Sequence, residues 1–170
     1  MKMLSSLLFF LFSSTNIGFT QSLEMYSGTW TYLNGNEKFI VYLWKVPDGY
    51  NGHYKLLSVD NNGNTVSTIY DSNKEVLNTG YNWPSVITTG NSSQNQIGGI
   101  IIDNIASPSP QFGGYINGQL RFFILNPNCF NNITNPCPLQ AQWTVIKMPG
   151  LSNPDEPEFT IPTNITLIKE

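Results

Sequence analysis

Histidine occurs once in the 170 residues, at His53, arginine once, at Arg121, and cysteine twice, at Cys129 and Cys137. A nucleophilic triad or a histidine metal centre would have to be built on His53 alone, with no Gly-x-Ser-x-Gly beside it and no spare thiol. Histidines at strand starts are usually half-exposed surface residues. The acids Asp60, Asp71, Asp103 and the cluster Asp155, Glu156 and Glu158 fall in no pattern that sets two carboxyls across a cleft. Asp60 and Asp71 flank an expected strand, where such side chains cap turns. Asp60-Asn61-Asn62-Gly63-Asn64 is a turn rather than a calcium loop, since its glycine comes fourth and position twelve is Asp71. The sequence therefore predicts no catalytic residue, no metal and no cofactor.

Charge is scarce too, at 11% of residues, with 8 basic against 11 acidic. Loss of Lys2 with the N-terminal segment would bring the net charge from −3 to −4. Nothing here neutralises a run of phosphates, which argues against nucleic acid and anionic membranes as partners.

The first twenty residues place Lys2 before an apolar run, Leu4 to Phe12, and then small polar residues. That order predicts a signal peptide over 1–20, cut near Thr20/Gln21. The run is about half the length a membrane-spanning helix needs, so no stable anchor is expected. Residues 21–170 then form a single domain with one core, in an extracytoplasmic compartment. An oxidising compartment makes Cys129 and Cys137 a disulfide closing the loop 129–137, worth about 2.5 kcal/mol by chain entropy. Three Asn-x-Ser/Thr sequons, at Asn91, Asn132 and Asn164, are chance matches in so Asn- and Thr-rich a chain.

Period-two alternation dominates, and no amphipathic helix of three turns is visible. Tyr26, Gly28, Trp30 and Tyr32 alternate with hydroxyl residues, and Asn34-Gly35 supplies a hairpin turn. The returning strand is apolar on both faces, Phe39, Val41 and Leu43 against Ile40, Tyr42, Trp44 and Val46. Further strands are expected at 53–60, 64–71, 97–103 (with a bulge or bend at Gly98-Gly99), 112–126 as a hairpin around Asn117-Gly118, 139–148 and 160–170. The segment 72–96 resists assignment, 107–111 reads as a linker turn, and 149–158 is an acidic, proline-rich connector. Short strands joined by Gly, Asn and Pro turns make the fold all-β. We expect a single antiparallel up-and-down barrel of about eight or nine strands, with a sandwich as the alternative.

Aromatic residues are the plentiful resource. Trp30, Tyr32, Tyr42, Trp44, Trp83 and Trp143, with Arg121, are the candidate ligand-binding residues, and the same rings are candidates for the core. Two readings follow: a non-enzymatic barrel holding a small apolar or amphipathic ligand, or a surface recognition or structural module for glycan or protein.

At Tyr26–Trp30, Phe39–Val46 and Phe159–Glu170 the chain resembles an uncharacterised family of small secreted proteins from flavobacteria and other Bacteroidota. The resemblance implies a Gram-negative host and an extracytoplasmic location. Gly28-x-Trp30 also resembles the first-strand motif of lipocalins. That resemblance implies a ligand barrel in which the tryptophan packs beneath a basic residue of the last strand, here Lys169 or else Lys147.

Overall fold

The computed structural model describes residues 24–76, 79–90, 95–105, 115–130, 132–148 and 158–170. The expected signal peptide at 1–20, the sequon at Asn91, the linker turn at 107–111 and all but the last residue of the connector lie outside them.

Nine strands follow in order: β1 (Gly28–Asn34), β2 (Glu37–Val46), β3 (Gly49–Val59), β4 (Thr65–Asp71), β5 (Ile87–Gly90), β6 (Gln96–Asp103), β7 (Ile116–Ile124), β8 (Gln140–Lys147) and β9 (Asn164–Lys169). Each pairs antiparallel with its neighbours, and β9 returns to β1. Eight strands thereby close into a barrel. The ninth, β4, hangs outside the ring, because β3 is long enough to pair through Gly49–Gly52 with β5 and through Lys55–Val59 with β4. The sandwich alternative is excluded.

An eight-stranded barrel has an interior just wide enough to be filled by side chains, and aromatic rings fill this one. Ring contacts run from Tyr50 to Tyr26 (5.5 Å), Tyr26 to Phe122 (6.1 Å), Phe122 to Trp143 (6.3 Å), Trp143 to Phe39 (5.9 Å) and Phe39 to Tyr54 (6.0 Å). Trp30 joins edge-on to Phe122 at 4.9 Å. Tilted and edge-on pairs match the ring quadrupoles and contribute about 0.5–1.5 kcal/mol each beyond area burial. Trp30 of β1, Phe39 of β2, Tyr50 and Tyr54 of β3, Phe122 of β7 and Trp143 of β8 supply these rings with Tyr26 from just before β1, and Leu120, Ala141 and Val145 are buried with them.

Three local expectations are corrected and one unassigned segment is filled. The β1–β2 loop is Gly35-Asn36, one residue later than Asn34-Gly35, because Asn34 still pairs with Glu37; Gly35 takes the left-handed conformation at φ 57°. Asn117-Gly118 is no hairpin turn: both residues lie within β7, where Gly118 pairs with Ile101 and Lys147. Gly98-Gly99 makes no bulge against β7, whose register with β6 is unbroken. Gly99 instead admits β5, since a Cβ there would lie 2.1 Å from the Thr88 carbonyl oxygen. Finally, β5 emerges from the unassigned segment as four residues, Ile-Thr-Thr-Gly, too short to show periodicity.

A buried polar cluster closes one side. Asp103, the last residue of β6, is 0% exposed. It accepts hydrogen bonds from Thr160 N (2.6 Å), Thr160 Oγ1 (2.8 Å to Oδ2), Ile105 N (3.1 Å) and Tyr54 OH (3.2 Å). The segment leading into β9 is thus tied to β6 and β3. Asn104 Nδ2 donates to the Ser72 carbonyl at 2.8 Å, and Tyr54 N donates to Ser72 Oγ at 2.9 Å.

Candidate functional site

The candidate aromatics separate by strand parity. Trp30 and Trp143 point inward and are 0% exposed. Their indoles donate to the carbonyls of Tyr26 (2.8 Å) and Pro162 (2.8 Å), so both are committed to the core. Tyr32 packs against that core, and Trp83 meets Tyr115 edge-on at 5.8 Å. Among the described residues, no ring contact joins Trp83 to the other candidates.

Tyr42 and Trp44 stand on the opposite face of β2. Two residues apart on one strand, they share its outer side. Their rings lie 5.8 Å apart at 33°. His53, the cross-strand partner of Tyr42 on β3, continues the row at 5.5 Å and 35° from Trp44. Tyr42 is 51% exposed. Three mutually tilted rings in a row thus form an aromatic platform on the barrel wall. The apolar outer face of β2 is left at the surface.

Beside the platform lies a groove of about 220 Å³ edged by Ile40, Tyr42, His53, Lys55, Asp71 and Asn73. Two of its polar members are held in place. Asp71 Oδ1 accepts from Asn73 N at 2.8 Å, and His53 Nδ1 lies 3.3 Å from Ser72 Oγ, which anchors the ring. Partial burial lowers the imidazole's pKa, and the nearby Asp71 charge opposes that shift. His53 is therefore neutral at pH 7. Asp71, His53 and Ser72 share the composition of a catalytic triad without its access, for Ser72 is 0% exposed and its hydroxyl accepts the Tyr54 amide. Of these residues, His53 was legible in the sequence only as a half-exposed surface residue, and Lys55 and Asn73 carried no signal.

Arg121 lies on another stretch of wall. It is exposed on the outer side of β7, between Gly98 of β6 and Thr144 of β8. There an open groove of about 660 Å³ runs past Gln96, Gly98, Ile100, Gln119 and Met148 as well as Arg121.

The Trp30 end has its basic residue. Lys169 of β9 pairs with Trp30, its ammonium sits 5.7 Å from that ring and 5.5 Å from Phe130, and it donates to the Met25 carbonyl at 2.9 Å. Gly28, at φ 113°, is in a conformation side chains resist, and a Cβ there would lie 3.4 Å from Lys169 Cε. Burial lowers the Lys169 pKa. Lys147, the other candidate, instead holds Glu158 at 3.0 Å. Cys129 and Cys137 are disulfide-bonded, and Asp60 caps its turn through the Asn62 and Asn64 amides.

Comparison of the chain with known protein families, with curated proteins and with solved structures finds no match.

Proposed function

We propose that this is an extracytoplasmic recognition module that binds glycan through the Tyr42, Trp44 and His53 platform. The observation that carries the reading is the row of three neighbouring rings, centroids 5.5 and 5.8 Å apart and tilted by 35° and 33°, on the outer wall of the barrel, where Tyr42 is 51% exposed. The apolar face of a sugar ring stacks on such a surface, while the polar groups beside it take the hydroxyls. Lys55, Asp71 and Asn73 supply donors and acceptors in the adjoining groove. The Cys129–Cys137 disulfide is compatible with an oxidising compartment, as the signal-like N-terminus leads one to expect.

The test is a glycan array followed by titration of the best oligosaccharide. Truncating a ring at the centre of a stacked contact costs about 1–3 kcal/mol, so Trp44→Ala lowers affinity roughly tenfold or more. Equal affinity of wild type and Trp44→Ala would remove the platform from binding.

One observation favours an interior ligand as a second reading. The hydroxyls of Tyr26 and Tyr50 are buried without a partner among the described residues. Burial raises both phenols, Tyr50 to about 12. An orphaned buried hydroxyl costs about 1–3 kcal/mol, which a small polar guest or a water would offset. Native mass spectrometry that finds no retained small molecule counts against that reading.

A further inference from the structure

We infer that the sugar-binding surface continues from Trp44 around the barrel to Arg121, and that its occupant is an extended glycan strand bearing carboxylate or sulfate groups. This rests on the platform reading and extends it to a second stretch of wall.

Strand register carries the continuity. Trp44 of β2 pairs with Asn51 of β3, Asn51 with Thr88 of β5, Thr88 with Ile100 of β6, and Ile100 with Gln119 of β7. Directly paired residues point to the same side of a sheet, so these five positions form one outward row across five strands. With strands about 4.8 Å apart, the backbone row from Trp44 to Gln119 spans roughly 19 Å, and the curved path over its outward side chains is longer. No single sugar ring covers that path; a strand of several does. The middle of the row is Asn51 and Thr88, short side chains with hydrogen-bonding groups, set between the Trp44 ring and Ile100.

At the far end the surface drops. Gly98 leaves open space beside Arg121, since a Cβ there would meet nothing nearer than the Leu120 carbonyl oxygen at 3.7 Å. The resulting groove of about 660 Å³ has Arg121 as its one ionisable lining residue among the described residues, flanked by the amides of Gln96 and Gln119. A guanidinium presents a rigid fork of donors that matches a carboxylate or sulfate, and amides beside it suit hydroxyls. Neither ion pair among the described side chains uses Arg121. A lone fork in an acidic protein selects for an anionic group at one place rather than attracting polyanions at large.

The experiment titrates the whole protein with four probes: an oligogalacturonide dimer and hexamer, a neutral galactan hexamer and a sulfated galactan hexamer. The acidic hexamer of the matching anion binds about tenfold tighter than the neutral hexamer, and the dimer shows no such gain. Which hexamer gains tells carboxylate from sulfate. Arg121→Gln brings the acidic-to-neutral ratio close to one, and Gly98→Val, which fills the groove floor, does the same without touching the charge. Trp44→Ala weakens every hexamer. A ratio near one in the wild type, or a ratio that survives Arg121→Gln, overturns the extension to Arg121 and leaves the platform standing. Neutral-hexamer binding that ignores Trp44→Ala overturns the platform itself, and failure of all hexamers to bind overturns both.

Discussion

Replacing Asp103 by asparagine changes one atom and should be among the most damaging substitutions in the barrel. One carboxylate oxygen, Oδ2, receives Thr160 N at 2.6 Å, and the other, Oδ1, receives Ile105 N at 3.1 Å and Tyr54 OH at 3.2 Å. Whichever oxygen becomes the amide NH2, it faces a backbone N–H, donor against donor. Hydrogen bonds to a charged acceptor are worth about 1.5–3 kcal/mol, and a stranded buried donor costs about 1–3 more. Asp103→Asn should therefore lose about 3–5 kcal/mol, a fall of roughly 6–20 °C in Tm for a domain of this size. Urea unfolding with an unchanged slope is the assay. Asp71→Asn is the control, because that exposed carboxylate has a small local duty to Asn73 N and should cost less than about 1 kcal/mol. A midpoint for Asp103→Asn within error of wild type would refute the view that this carboxylate ties β9 into the barrel.

Three further outcomes follow. Replacing both Cys129 and Cys137 by serine opens a nine-residue ring and should cost about 2.5 kcal/mol in urea unfolding, and dithiothreitol should reproduce the loss in the wild type. Lys169→Met keeps the stem over Trp30 but loses the ammonium and its bond to Met25; about 1–2 kcal/mol and an altered near-ultraviolet tryptophan band are expected, and an unchanged band would contradict the contact. His53 has a folded pKa below its unfolded value, so the unfolded chain binds the proton first as pH falls. Its contribution is complete above the unfolded pKa near 6.5 and is lost as pH drops from there through the folded value. His53→Gln should flatten the stability profile in that window, and an identical slope in both proteins would contradict the burial.

The barrel was legible because period-two alternation survives in β1, β2, β7 and β8, whose inward rings read directly as one face. Lys169 over Trp30 was legible only through the resemblance of Gly28-x-Trp30 to the lipocalin first strand, with Lys147 as the alternative. Asp103 could be seen as an acid but not as a linchpin, because Thr160 and Tyr54 lie 57 and 49 residues from it in the chain. The sequence showed β2 apolar on both faces without telling which one faces out; the register leaves Tyr42 and Trp44 on the outside, with Tyr42 51% exposed. The third ring, His53, needed the β2–β3 register, and the path to Arg121 needed β5, a strand of four residues that carries no pattern of its own.

The four tryptophans offer the most direct test. Trp30 and Trp143 have buried, hydrogen-bonded indoles, Trp83 sits against Tyr115, and Trp44 lies in the platform. An indole N–H nuclear magnetic resonance spectrum recorded during titration with a bound oligosaccharide therefore reports which surface is engaged. Saturable movement of the Trp44 signal with Trp30 and Trp143 still is the expected result. Movement of the Trp30 or Trp143 signals with Trp44 unmoved would place the ligand inside the barrel and contradict the platform.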